Sequence, residues 1–174
     1  MQRRKMLAGL GSLAAGGAAA MGTGAFNFAN IERGMNVNVT DDSSAFLALN
    51  DTSAYADGSG DKLALTFDSD ATVTGDGINK DSDYSFTGVF SIRNQGNQPV
   101  KVWIVDDDGN DAVEWYGTDT NNKSDFSTLM EDPGNTYQLD IGERVFVNVV
   151  IFLKDNSAGD LPTTIEVVAD ESGA

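Results

Sequence analysis

The sequence predicts an all-β protein: a single antiparallel β-sandwich of seven or eight strands, immunoglobulin-like in broad architecture, behind an N-terminal signal segment. Three observations lead there. Apolar residues recur with period two, not 3.6, through most of the chain. Clusters of Gly, Asn and Asp separate the alternating runs, as in "DGSGD" at 57–61, "TGDGINK" at 74–80 and "DDDGND" at 106–111. About 150 residues remain after the signal, enough to build one core without a disulfide.

The first element lies outside that fold. Residues 1–25 carry Arg3, Arg4 and Lys5 and no acidic residue, followed by Ala, Gly and Leu up to Ala20. Charged head, apolar middle and small-residue end make an export signal, with cleavage after Ala20 or nearer Gly24 and Ala25. The glycine-interrupted apolar run is short of the roughly 20 strongly apolar residues that span a bilayer. Within "RRKML", Arg3 and Arg4 resemble the twin-arginine motif, Leu7 matching and Met6 standing where Phe is usual; that route exports folded proteins.

Residues 26–34 form an N-terminal arm, and 35–174 the sandwich. "MNVNV" puts Met35, Val37 and Val39 on one face, and "KLALTF" does the same with Leu63, Leu65 and Phe67. "YSFTGVFSIRN" aligns Tyr84, Phe86, Phe90 and Ile92, and "NQGNQ" turns into a strand over 100–106. Further strands are expected near 113–116, 137–141, 144–153 and 163–169. In the long one, "RVFVNVVIFLK", Val145, Val147, Val149, Ile151 and Leu153 supply a core face. The opposite face carries Phe146, Val150 and Phe152 around Asn148, where water is expected. Either a loop or helix covers that side, or it is an apolar strip for another chain.

Charge bounds the partners. The chain has 11 basic and 27 acidic residues; without the three basic residues of the signal, eight face 27, a net charge of −19. Molar salt contracts the Debye length to about 3 Å and removes the self-repulsion of such a surface, so the composition suits high salt. It argues against nucleic acid and anionic lipid, whose phosphates are bound by Lys and Arg. The chain has no Cys and no His. Ser-His-Asp and Cys-His catalysis and the usual zinc and copper sites are therefore excluded.

The arm "AFNFANIERG" places Phe26 and Phe28 on one face with Ile31 close behind, too apolar for a free tail in water. It is either the first strand of its own domain or a strand donated to the sheet of a neighbouring subunit. Donation runs head to tail and need not close into a ring, so it can propagate as a filament.

Other constellations are local. Asp106, Asp108 and Asp111 could bridge calcium between subunits, but their spacing does not fit an EF-hand loop: Ile104 falls where the first ligand belongs. Asp140 with Glu143, or Glu114 with Asp119, are the carboxylate pairs that glycoside hydrolysis would need, and such pairs arise by chance among 27 acids. Trp103, Trp115 and Tyr116 could make a sugar-stacking platform; Trp103 also reads as core, leaving Trp115 and Tyr116 as the pair expected to be exposed. Asn38, Asn50 and Asn122 head N-glycosylation sequons.

"GTGAFNFANIERG", "YSFTGVFSIRNQGNQPVKVWIV", "YQLDIGERVFVNVVIFLK" and "LPTTIEVVAD" resemble the TasA and camelysin group of exported sandwich proteins. They are closer still to a haloarchaeal family of surface proteins without assigned function. The shared features are small residues before an aromatic, a strand ending in Asn-x-Gly, and Gly142-Glu143 before a long apolar strand. The resemblance implies a jelly-roll or immunoglobulin-like sandwich and, as in characterised relatives, fibres assembled by donor-strand exchange with Phe26 to Ile31 as donor. This chain is shorter and far more acidic than the bacterial members. The expectation is thus an exported, non-catalytic structural protein of the cell surface whose partner is itself. The alternative is a monomeric binding module for calcium or glycans.

Overall fold

Alternating sequences become stable only when strands stack two apolar faces together, and the computed structural model shows this arrangement. It describes residues 45–67, 77–79, 81–108, 111–121 and 123–171, all within one compact unit, Asn38–Ala174. The strands are β1 (Leu47–Asp51), β2 (Ala56–Asp57), β3 (Ala64–Leu65), β4 (Asp83–Asn94), β5 (Val100–Asp106), β6 (Val113–Thr118), β7 (Tyr137–Leu139), β8 (Arg144–Phe152) and β9 (Ile165–Asp170). One sheet runs β1-β4-β8-β6, a second runs β7-β5-β9, and β2 with β3 forms a two-stranded ribbon. Every strand pairing is antiparallel. The all-β, sandwich-like fold is as the sequence predicts.

The inner faces meet where alternation places them. Val145, Val147, Val149 and Ile151 of β8 are buried with Phe90 and Ile92 of β4 and Trp115 of β6; Val102 and Ile104 of β5 and Leu139 of β7 belong to the same core. Each such side chain contributes about 1.5–3 kcal/mol on leaving water. Two elements differ from expectation. "KLALTF" pairs only over Ala64–Leu65, while Leu63 and Phe67 pack on the core as side chains and Phe67 joins Tyr55 and Phe86 in an aromatic cluster with centroids 4.8–5.5 Å apart. β1, "LALND", was not expected; its ladder with β4 sets Leu49 opposite buried Ile92. "MNVNV" lies outside the described residues.

Two polar devices shape the sheets. Opposite Asn148, β4 carries two extra residues between Phe86 and Phe90, and Gly88 takes a φ of 57°, a conformation that favours glycine. Because the insertion is even, Phe86 and Phe90 stay on the same face. Asn148 is fully buried and satisfied: its Oδ1 accepts the Gly88 N–H at 2.7 Å, and its Nδ2 donates to the Lys123 and Asp125 carbonyls at 2.9 Å each. The second device is the segment around Met130, which joins the two sheets. Met130 N donates to Trp115 O of β6, Ile104 N of β5 donates to Met130 O, and Gly117 N donates to Thr128 O, each at 2.8 Å. Gly117 permits this approach, since a Cβ there would come within 2.5 Å of the Tyr137 ring and 2.6 Å of the Met130 sulfur.

The strand directions define two ends. At the near end lie the β4–β5 turn, the β7–β8 turn and the start of β1; at the far end lie the loop from β5 to β6 and the start of β9.

Candidate functional site

The far end collects carboxylates around one indole. Trp115 points inward from β6 opposite buried Val149, is 2 % exposed, and packs edge-on to Phe90 at 6.3 Å. Its Nε1 donates to Asp106 Oδ2 at 2.7 Å, and its backbone N–H donates to Glu131 Oε1 at 3.2 Å. Nearby, Val113 N donates to Asp108 Oδ2 at 2.9 Å, and the Tyr116 hydroxyl donates to Glu114 Oε2 at 2.5 Å. Burial, then the charges of Asp106, Glu114 and Asp111, push the Glu131 carboxyl up to about 7 despite the Trp115 N–H. Asp106 is raised too, by burial first and with Asp108 adding repulsion. Tyr116 is pushed up to about 12, by burial and then by its bond to Glu114.

Of the predicted calcium carboxylates, Asp106 and Asp108 interact with one another, and each already accepts a protein N–H group. Among the described residues no group of three or more ligating side chains is arranged to hold a metal ion. The predicted sugar platform is corrected. Trp115 is core, whereas Trp103, opposite Val168 on the outer face of β5, is half-buried. Tyr116 faces outward and packs edge-on against Phe126, with centroids 5.5 Å apart. The paired carboxylates make local contacts: Glu143 Oε2 accepts Asp140 N–H at 2.9 Å within a turn, Glu114 accepts from the Tyr116 hydroxyl, and Asp119 pairs with Lys123 at 3.2 Å.

Phe146, Val150 and Phe152 lie half-buried on the outer face of β8, as the alternation places them. The chain over 123–125 crosses that face at Asn148, so one loop covers its middle. Beside Phe146 in the ladder, Ser91 and Thr118 carry buried hydroxyls without hydrogen-bond partners. Asn50 sits in β1 opposite Ser91, and the threonine of its sequon, Thr52, is engaged by donating its hydroxyl to Gly88 O at 2.6 Å. Arg3, Arg4, Phe26, Phe28, Ile31, Asn38 and Asn122 lie outside the described residues. No helix among the described residues is long and apolar enough to cross a membrane.

Fold and site together define a class: a two-sheet antiparallel protein with a carboxylate-rich loop end and a partly apolar outer face. Residues 39–173 match the model of a family described as a protein of unknown function, DUF1102, and the chain belongs to that family. No curated protein matches it.

Proposed function

We propose that this chain is an exported, non-catalytic protein of the cell surface that assembles with copies of itself into a filament or matrix, its arm from Phe26 to Ile31 adding as a strand to a neighbour. The observation that carries the reading is the apolar arm, two phenylalanines at i, i+2, immediately after an export signal and before a sandwich-like domain. Among the described residues β1 and β9 are outer strands, the kind of edge to which a strand can add. The resemblance to TasA and camelysin supports the same mode of assembly, and the acidic surface suits export into high salt.

Electron microscopy and sizing of the chain beginning at Phe26, in molar salt, beside a version beginning at Gly34 test the proposal. Fibres from the first and monomers from the second are expected. Monomers from both would remove the arm as an intersubunit strand and favour the monomeric binding module, whose aromatic contact would then be Trp103 rather than Trp115.

A further inference from the structure

The chain over 126–136 runs between two fixed points. Asn148 of β8 holds the Lys123 and Asp125 carbonyls at 2.9 Å each, and β7 begins at Tyr137. Between them no residue enters a strand; the segment meets the sheets through isolated bridges, Tyr116 to Leu129 and Ile104 to Glu131. Its backbone bonds to β6 and β5 are Gly117 N–H to Thr128 O, Met130 N–H to Trp115 O and Ile104 N–H to Met130 O at 2.8 Å each, and Asp132 N–H to Ile104 O at 3.4 Å. The turn from Asp132 to Asn135 is exposed, and Asp132 takes a φ of 61°, where most side chains are disfavoured. A short irregular stretch between anchored flanks opens at lower cost than the strands around it.

One carboxylate sits inside this contact. Glu131 is half-buried, and its Oε1 accepts the Trp115 N–H at 3.2 Å. The charges that act on it come from β5, the β5–β6 loop and β6, and all are carboxylates: Asp106, Asp111 and Glu114. Asp106 also accepts the Trp115 Nε1–H at 2.7 Å and is repelled by Asp108, and Glu114 accepts the Tyr116 hydroxyl. That hydroxyl, pushed up to about 12, adds no charge of its own near neutral pH. The ion pairs among the described residues join Lys123 to Asp119 and Asp125 and Lys154 to Asp83, and none includes Glu131. Two N–H groups of one tryptophan are thus held by two carboxylates that repel each other, one of them on the linking segment.

We infer that residues 126–136 are a proton-operated clasp, which holds β5 and β6 together while Glu131 is neutral and opens locally, with the sandwich still folded, once Glu131 ionises. The neutral carboxyl keeps an acceptor for the Trp115 N–H and adds no charge beside Asp106, Asp111 and Glu114. The ionised one must regain water, and withdrawal of its segment supplies it. Met130, fully buried in the closed form, leaves the core in the open one, which keeps the open form a minor one. The closed form binds the proton more tightly than the open one, so closure is firm near the ordinary 4.5 and weakens as pH rises through about 7. Opening bares the Ile104 and Gly117 N–H groups and the Trp115 carbonyl, unpaired groups of the kind to which a strand can add. The inference rests on the fold and holds alike for a filament subunit and for a monomer.

The test is amide hydrogen exchange of the exported protein in molar salt from about pH 5 to 8, corrected for the intrinsic base catalysis of exchange, in wild type, Glu131→Gln and Asp106→Asn. The Ile104, Gly117 and Met130 amides are expected to be at least about tenfold less protected than those of the β4–β8 ladder, the mark of a local opening. In wild type that opening should grow about fivefold across the range, a figure reduced for the screening of a half-exposed group. Glu131→Gln should stay flat at the low-pH level. Asp106→Asn, which takes away one repelling charge, should make the rise level off at a lower pH. Exchange without pH dependence in wild type, or a dependence that persists in Glu131→Gln, would overturn the inference. Protection equal to that of the β4–β8 ladder would overturn it as well, since the segment would then open only when the whole fold does.

Discussion

Two carboxylates at the far end, Asp107 and Glu131, titrate in opposite directions for opposite reasons. Asp107 is exposed and receives three donors from the start of β9: Thr163 Oγ1 at 2.6 Å, Thr163 N at 2.7 Å and Thr164 N at 3.1 Å. The Thr163 hydroxyl, then the two backbone N–H groups, lower it to about 2. Glu131 is half-buried, receives one N–H from Trp115, and faces three other acids, which with its burial hold it at about 7. In an acidic chain, then, the effect of a carboxylate on stability follows the donors it meets and the water it loses, not the net charge. Asp107 ties the β9 entry to the β5–β6 loop, whereas Glu131 is tolerated where the two sheets join.

The largest expected effect comes from removing what the buried carboxylates surround. Trp115→Ala opens a cavity against Phe90 and Val149 and takes the indole donor from Asp106; a loss of about 3–5 kcal/mol in denaturant unfolding is expected. Trp115→Phe keeps most of the packing and removes only the Asp106 bond, so it should fall well short of that loss. Equal losses for the two variants would mean that the bond to Asp106, not the packing, decides stability here.

Much of this arrangement was legible in the sequence, for reasons that particular residues make clear. β5, β6 and β8 follow from alternation because each is long enough to show the period, and Val145 to Ile151 fall inward as read. Trp103 and Trp115 were misread because "VKVWIVD" and "AVEWYG" offer apolar residues at both parities; only the register, Trp115 against Val149 and Trp103 against Val168, separates core from surface. β1 escaped notice because five residues show too little period. Asn148 read as a polar interruption in an apolar strand, while its partners, the Gly88 N–H and two loop carbonyls, come from positions 60, 25 and 23 residues away. Spacing cannot show such partners. The same limit hid the opposed arginines, since Arg93 and Arg144 meet only through the β4–β8 register.

Glu131→Gln isolates the less favourable half of the comparison. A carboxyl whose folded pKa lies above its unfolded value binds more protons in the native state. Stability therefore falls as pH rises from its ordinary 4.5 through about 7, and the penalty is complete above that. Gln keeps an acceptor for the Trp115 N–H and removes the charge. The variant should match wild type near pH 4.5 and exceed it at pH 8 by on the order of 1 kcal/mol, a figure reduced for the screening of a half-exposed group. Thermal unfolding across that window checks it. An unchanged pH slope in the variant would place the titration on Asp106 instead. Molar salt should narrow the difference, because the charges of Asp106, Glu114 and Asp111 are screened while the burial is not.

Asp107→Asn probes the favourable half, and its effect should be the smallest and of opposite sign. The folded pKa is depressed, so the contribution of Asp107 is present above its ordinary 3.8 and fades as pH falls through about 2. Asn retains one acceptor oxygen for the Thr163 and Thr164 donors but not the charge that strengthens them. The unfolding midpoint at pH 7 should drop slightly, and the difference from wild type should shrink as pH falls below 3.8 and vanish only below about 2. Hydrogen exchange at Thr163 and Thr164 reads the same contact locally, and faster exchange is expected there, with Trp115 unaffected. If the variant also loosened Trp115, the two carboxylates would belong to one cooperative unit, and their opposite titrations would have to be measured as a coupled pair.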